Sequence, residues 1–202
     1  MPVGVFLRGC ESMKRNIVLC GVGGQGILLA AKIIAEAAEL QGYQVTTHEI
    51  HGMAQRGGSV TAQIRYGEEV HSPLILEGEA DILASLEAIE AIRYAHYLRP
   101  GGLAVISQQQ LIPVTVSTGQ AQYPTDIEKM LPRAFPRYKY LDFCCIAEAL
   151  GNARMSNTVL LGALSTGLDE IPPATWEKAI AACVKPAFVA MNTTAFHKGR
   201  AL

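Results

Sequence analysis

Two glycine-containing segments carry the residues best suited to bind a ligand. The first reads Gly21-Val22-Gly23-Gly24-Gln25-Gly26, and the second reads His51-Gly52-Met53-Ala54-Gln55-Arg56-Gly57-Gly58. Glycine lets a ligand approach backbone N–H groups closely, and a guanidinium forms charge-assisted hydrogen bonds with carboxylate or phosphate. We therefore predict a site for an anionic ligand. Its candidate residues are Gly23, Gly24, Gln25, Gly26, His51, Gln55, Arg56, Gly57 and Gly58.

The elements around these segments predict that the two meet. Asn16–Cys20 is a short apolar run, Gly26–Leu40 has the apolar spacing of a helix, and Tyr43–His48 forms a second strand. Parallel strands end at the same edge of a sheet, which places both glycine segments there. The pattern Gly21-x-Gly23-x-x-Gly26 also satisfies the dinucleotide fingerprint. A dinucleotide fold continues into another helix, however, whereas Ser59–Tyr66 alternates like a strand.

The rest of the chain repeats an α/β alternation and ends in helices. We predict a three-layer α/β/α fold with a largely parallel sheet, an antiparallel hairpin or edge strand, and a helical carboxyl-terminal third. The further strands are predicted at Val70–Leu76, Asp81–Leu86 and Leu103–Ser107. The further helices are predicted at Glu87–Leu98, Thr125–Leu131, Cys144–Leu150, Asn157–Leu168, Ala174–Val184 and Ala187–His197, with Ser156 as a cap.

Composition narrows the class of protein. The 202 residues are 50% hydrophobic, which favours one domain, and the net charge of -1 gives the whole chain no attraction for nucleic acid or anionic lipid. No apolar run reaches the roughly 20 residues that span a bilayer. We therefore expect a cytoplasmic protein with no nucleic-acid or membrane partner. Residues 1–12 are expected to be a disordered extension and residues 13–202 a single domain.

Metal and cluster sites are not predicted. The five cysteines lack the close spacing of an iron–sulfur cluster, and Cys20 lies in an apolar strand, where a core role is expected. His48 and His51 are spaced for zinc, but no further ligand clusters with them. Asn157 and Asn192 are expected to brace loops or helix ends rather than to contact a ligand.

The chain resembles the gamma-type subunit or domain of the 2-oxoacid:ferredoxin oxidoreductases, and is most similar to the small beta subunit of the indolepyruvate enzymes. The resemblance runs from about Met13 to Gly199. Pyruvate-type members usually carry a second arginine where Gln55 stands, so the sequence favours the arylpyruvate branch. The motifs that carry the resemblance are the two glycine segments, Leu98-Arg99-Pro100-Gly101-Gly102, Asn157-Thr158-Val159-Leu160-Leu161-Gly162-Ala163 and Asn192-Thr193-Thr194-Ala195-Phe196.

The resemblance implies oxidative decarboxylation of a 2-oxo acid with coenzyme A, which yields an acyl-CoA, carbon dioxide and reduced ferredoxin. Thiamine diphosphate and iron–sulfur clusters perform this chemistry, and a larger partner subunit is expected to hold both. This chain would then hold no cofactor and no catalytic residue, would meet ferredoxin only indirectly, and would place the glycine turn and Arg56 near coenzyme A or the partner. Two alternatives stay open: a free-standing NAD-dependent oxidoreductase and a purely structural assembly subunit.

Overall fold

A computed structural model describes residues 13–51, 57–112, 116, 118–120 and 122–202. Among them is one six-stranded sheet with the order β2-β3-β1-β4-β5-β6. β1 pairs parallel with β4, as do β4 with β5 and β5 with β6, whereas β3 pairs antiparallel with both β1 and β2. The strands are β1 (Lys14–Val22), β2 (Gln44–His51), β3 (Ser59–Gly67), β4 (Ala80–Ser85), β5 (Leu98–Ser107) and β6 (Tyr138–Leu141).

Helices cover both faces of this sheet, so the predicted three-layer α/β/α fold is confirmed. One face packs against α1, α4, α5, α6 and α7, and the other packs against α2 and α3. The helices are α1 (Ile27–Leu40), α2 (Ala88–Arg93), α3 (Ile127–Ala134), α4 (Phe143–Ala149), α5 (Ser156–Ser165), α6 (Pro173–Cys183) and α7 (Val189–Arg200). Short 3₁₀ turns lie at Ala95–Tyr97, Ala153–Met155 and Pro186–Phe188.

The contact between α5 and α7 depends on glycine. Every residue of α5 is buried. A Cβ atom on Gly162 would collide with the carbonyl oxygen of Phe196, and one on Gly199 would collide with that of Val159. The two helices therefore pack backbone against backbone, and α5 forms the centre of the layer that supports the glycine turn.

Three predicted elements differ from the structure. Val70–Leu76 is not a strand, because side-chain amides of Gln44 and Gln63 accept the N–H groups of Val70 and Ile75, and Pro73 has no N–H to donate. The helix predicted at Glu87–Leu98 ends at Arg93, because Leu98 already pairs with Ala80 in the sheet. Ser156 is not a cap but the buried first residue of α5.

The route of the chain after β2 bears on the dinucleotide alternative. β2 is followed by β3, which runs antiparallel to it and inserts between β2 and β1. A dinucleotide-binding fold would instead place a crossover helix after its second strand. β1 and β2 nevertheless point in the same direction, so both end at one edge of the sheet, as predicted.

Candidate functional site

The two glycine segments are joined directly by their backbones. The N–H of Gly23 donates to the carbonyl of Gly58 at 2.8 Å, and the N–H of Gly57 donates to the carbonyl of Gly23 at 3.4 Å. The predicted meeting of the segments is therefore confirmed for their described residues. His51 ends β2, while Gln55 and Arg56 lie outside the described residues.

The glycine turn presents backbone donors at the start of α1. Within the described ranges, the N–H groups of Gly24 and Gly26 have no acceptor. Gly26 has φ 85°, and a Cβ atom there would lie 2.5 Å from Nδ2 of Asn157, so only glycine suits the position. Donors at a helix start, together with the helix dipole, favour a negative ligand.

Gln25 fixes the turn to the neighbouring strand ends. Its Oε1 accepts the N–H of Val22 at 2.7 Å, while Nε2 donates to the carbonyl of Leu86 at 2.7 Å and to Oε1 of Gln109 at 2.9 Å. Leu86 follows β4 and Gln109 follows β5, so this amide ties three strand ends together. Both Nε2 hydrogens are used in these bonds, so the side chain of Gln25 braces the turn beside the N–H groups of Gly24 and Gly26.

A cleft of about 300 Å³ opens beside the turn. Its walls come from the ends of β1 and β3, from α2 and from the segment after β5. Apolar and polar side chains both line it. The lining residues are Val22, Gly23, Gly57, Ser59, Glu87, Ile89, Glu90, Arg93, Leu111, Ile112 and Tyr123.

Glu87 is the central carboxylate of this cleft and is only 1% exposed. Its Oε2 caps α2 by accepting the N–H of Glu90 at 2.9 Å. Its Oε1 accepts the N–H of Leu111 at 3.2 Å and the hydroxyl of Tyr123 at 2.5 Å. Burial and the bond to Glu87 raise the pKa of Tyr123, so the tyrosine stays a donor. Glu87 thus connects the start of α2 to two points of the segment that follows β5.

Glu90 is the second acid of the cleft, and it bonds to β3. Its Oε2 accepts the hydroxyl of Ser59 at 2.5 Å, and its Oε1 pairs with Nη1 of Arg93 at 2.5 Å. The described lining therefore carries two acids and one base. That balance does not by itself attract an anion, so an anionic ligand would depend on specific local donors.

The acids Glu87 and Glu90 and the base Arg93 were not predicted as site residues. A signal for them was present, because a strand was predicted at Asp81–Leu86 and Glu87 directly follows its predicted end. Polar residues just after a parallel strand lie at the ligand edge of an α/β sheet. Glu90 and Arg93 sit one and two helical turns further along the same helix.

The predicted roles of two asparagines and one cysteine are confirmed. Asn157 donates to the carbonyl of Gly26 at 3.2 Å, and Asn192 accepts the hydroxyl of Thr158 at 2.7 Å and donates to the carbonyl of Phe188 at 2.9 Å. Cys20 is fully buried, and this burial raises the pKa of its thiol to about 12. A buried, protonated thiol is a core group and not a nucleophile.

Neither a metal centre nor a membrane span is found in the described part of the chain. No cluster of three or more His, Cys, Asp or Glu side chains there is arranged to hold a metal ion. No described helix is long and apolar enough to cross a bilayer.

Comparison with known proteins identifies the family. A family model described as "Pyruvate ferredoxin/flavodoxin oxidoreductase" matches residues 16–202. The "Indolepyruvate oxidoreductase subunit IorB" of Thermococcus kodakarensis is 41% identical over 188 residues, which cover 91% of this chain and 93% of that protein. The subunit of the same name from Archaeoglobus fulgidus is 39% identical over 199 residues, covering 93% and 94%.

A solved structure agrees with these sequence matches. The gamma subunit of a keto/oxoacid ferredoxin oxidoreductase from Geobacter sulfurreducens PCA superposes with a TM-score of 0.69 at 26% identity, covering 93% of this chain and 95% of that one. Both the mixed sheet and its helices are therefore shared along nearly the whole length. The chain belongs to the pyruvate ferredoxin/flavodoxin oxidoreductase family.

Proposed function

We propose that this chain is the small subunit of an indolepyruvate-type 2-oxoacid:ferredoxin oxidoreductase. The observation that carries the proposal is the near full-length likeness to two proteins named as indolepyruvate oxidoreductase subunits. The complete enzyme would oxidise and decarboxylate an arylpyruvate with coenzyme A, and would pass the electrons to ferredoxin. The larger partner subunit would carry the chemistry.

The described residues of this chain do not fit the cofactors of that reaction. Cys20 is buried in β1, Cys144 and Cys145 lie in α4, and Cys183 ends α6, so these thiols do not converge on a cluster. Thiamine diphosphate and the clusters are accordingly assigned to the partner.

The contribution of this chain would be to bind an anionic part of a substrate at the carboxyl edge of its sheet. The N–H groups of Gly24 and Gly26 point donors at that edge, and the adjoining segment supplies Arg56 beside Gly57 and Gly58. The ligand would be a phosphate of coenzyme A or the carboxylate of the 2-oxo acid. Because Glu87 and Glu90 line the adjacent cleft, the positive charge of Arg56 would add to the attraction for an anion.

Reconstitution tests the subunit role. The purified chain alone is expected to be colourless, to contain no bound cluster iron, and to give no turnover with indolepyruvate, coenzyme A and a viologen acceptor. The same assay with the co-expressed larger subunit should give turnover. Activity or cluster iron in the chain alone would contradict the assignment, as would an inactive complex that contains its thiamine diphosphate and clusters.

Arg56→Ala tests the binding role. A charge-assisted contact contributes roughly 1.5–3 kcal/mol, so catalytic efficiency of the reconstituted complex should fall about tenfold to a hundredfold for coenzyme A or for the oxo acid. Arg56→Lys should recover only part of this, because an ammonium lacks the planar fork. Unchanged efficiency for both substrates would support a purely structural subunit. Weaker co-elution with normal kinetics at saturating partner would instead assign Arg56 to the subunit interface.

The dinucleotide alternative is tested separately. The fingerprint Gly21-x-Gly23-x-x-Gly26 is present, but the chain continues into antiparallel β3 after β2. A fluorescence titration of the isolated chain with NADH should therefore show no saturable binding. Tight binding would favour a reductase that works without a partner.

A further inference from the structure

Arg93 is a half-exposed guanidinium held at the cleft by a buried acid. Its side chain is 58% exposed, while that of its partner Glu90 is 7% exposed. Glu90 is itself fixed by the hydroxyl of Ser59, the first residue of β3 after the second glycine segment. The guanidinium is therefore oriented by a carboxylate that is anchored to the sheet, instead of moving freely as exposed arginines do.

Most of the donors of Arg93 remain available. Its one hydrogen bond to the described residues is the 2.5 Å contact from Nη1 to Oε1 of Glu90. Arg93 lines the same cleft as Gly23 and Gly57, next to the start of α1. A guanidinium has five donors in a planar fork that matches carboxylate and phosphate. The cleft thus combines an oriented fork with enclosed volume beside the glycine turn.

We propose that Arg93 binds the anionic group of the ligand in this cleft, and that Glu90 is a positioning residue that holds the guanidinium in place. The ligand group is a carboxylate or a phosphate. The inference rests on the proposed function only for the identity of that ligand, the 2-oxo acid or coenzyme A. The bond between Arg93 and Glu90 reduces the repulsion that Glu90 exerts on a bound anion.

Arg93→Gln is the first test, and Arg99→Gln is its matched control. Arg99 is 49% exposed and pairs at 2.9 Å with Asp81, which is 10% exposed, so the two ion pairs are alike in exposure. Arg99 lies near the start of β5, at the opposite edge of the sheet. In the reconstituted complex, Arg93→Gln should raise KM for coenzyme A or for indolepyruvate about tenfold, with a smaller change in kcat. Arg93→Lys should recover part of the loss, and Arg99→Gln should change neither constant by more than about twofold.

The double variant Glu90→Gln with Arg93→Gln distinguishes two roles of Arg93, which are contact with the ligand and neutralisation of the charge of Glu90. If Arg93 contacts the ligand, the double variant keeps the raised KM, because no guanidinium is present. If Arg93 only offsets Glu90, the neutral amide pair restores KM to the wild-type value, and that result would overturn the proposal. Thermal melting of each variant checks that the neutral pair folds.

Calorimetric titration of the isolated chain makes this inference independent of turnover. The probes are coenzyme A, indolepyruvate and inorganic phosphate, and at least one should bind about tenfold more weakly to Arg93→Gln than to wild type. An inactive complex with such Arg93-dependent binding would reject the proposed function and support the site. Turnover that is unaffected by Arg93→Gln would reject the site and leave the proposed function. No binding of any probe to the wild-type chain, together with unchanged kinetics, would also reject the site.

Discussion

The parallel strands begin at one edge of the sheet, the amino edge, and end at the other, the carboxyl edge. The two edges contain the same residue types in different arrangements. At the amino edge, Glu170 accepts two bonds from Arg15, at 2.8 and 3.1 Å, and one from the hydroxyl of Tyr66 at 2.7 Å. At the carboxyl edge, Glu87 accepts a tyrosine hydroxyl and two backbone N–H groups, and no arginine among the described residues bonds to it. The carboxylate of Glu170 meets a bidentate guanidinium, whereas that of Glu87 meets only neutral donors among the described residues.

This difference separates stability from binding. The amino-edge cluster joins β1, β3 and the segment that precedes α6, which are far apart in the chain, and its tyrosine is fully buried. Closing such a cluster stabilises the folded chain. The carboxyl-edge cluster instead surrounds the cleft beside the glycine turn, where backbone donors still lack partners in the described structure. Substitutions should therefore affect unfolding at the first edge and ligand use at the second.

Glu170→Ala should have the largest effect on stability. It leaves the guanidinium of Arg15 and the hydroxyl of Tyr66 without their acceptor. Breaking a buried pair costs about 3–5 kcal/mol, and because Arg15 is 30% exposed we expect about 2–3 kcal/mol in the free energy of unfolding, measured with urea. Glu177→Ala is the control, because its pair with His197 is exposed on both sides and should contribute less than about 1 kcal/mol. If both variants lose the same free energy of unfolding, the amino-edge cluster contributes no more than an exposed ion pair does.

Acid should weaken the same cluster. Burial opposes ionisation of Glu170, but hydrogen bonds from Arg15 and Tyr66 outweigh it and hold the pKa of the carboxyl below its ordinary value of 4.5. A lowered folded-state pKa gives stability that is present above the unfolded-state pKa and is lost as pH falls through the folded-state pKa. Urea unfolding between pH 6 and 3 should show this loss below about pH 4.5. Glu170→Gln should flatten that part of the profile, and an identical profile in the variant would argue against the cluster as its source.

The same substitution at two tyrosines compares the edges most directly. Tyr66→Phe and Tyr123→Phe each remove one hydroxyl bonded to a glutamate. Tyr66→Phe should destabilise the chain by about 1–2 kcal/mol, because the hydroxyl is a buried partner of a charged group. Tyr123→Phe should cost less in unfolding, because Glu87 keeps two backbone donors, and should alter KM in the reconstituted complex. A reversal of these two patterns would contradict the division between the edges.

The sequence predicted the parts of the fold that local patterns determine. α1 and the alternation of β3 have clear apolar periodicity, and both glycine segments could be placed at one edge from strand direction alone. Val70–Leu76 could not be predicted correctly, because its backbone bonds go to the side chains of Gln44 and Gln63. Such long-range side-chain acceptors leave no periodic signal.

The candidate site was predictable only in part, for a similar reason. Glycines and Arg56 are recognisable as a ligand segment by their types, whereas Glu87, Glu90 and Arg93 look like the polar face of a surface helix. The burial of Glu87 and Glu90 depends on segments that pack against α2 from elsewhere in the chain, with Ser59 and Tyr123 supplying the hydroxyls. Gln25 likewise becomes a brace only because Leu86 and Gln109 follow the ends of neighbouring strands.

Removal of residues 1–12 should have the smallest effect. Two described contacts of the amino edge come from residues after that segment. The carbonyl of Met13 accepts the N–H of Glu68 at 3.1 Å, and Arg15 bonds to Glu170. A chain that starts at Met13 retains each of these bonds, so its melting temperature should change by no more than about 1–2 °C, well under the roughly 2–4 °C that 1 kcal/mol shifts Tm in a domain of this size. The melting temperature should be measured for the full-length chain and for the chain that starts at Met13, each with and without Glu170→Ala. If the deletion alone lowers the melting temperature by several degrees, residues 1–12 contribute to the amino-edge packing. If it does so only when Glu170 is intact, the segment acts through that cluster.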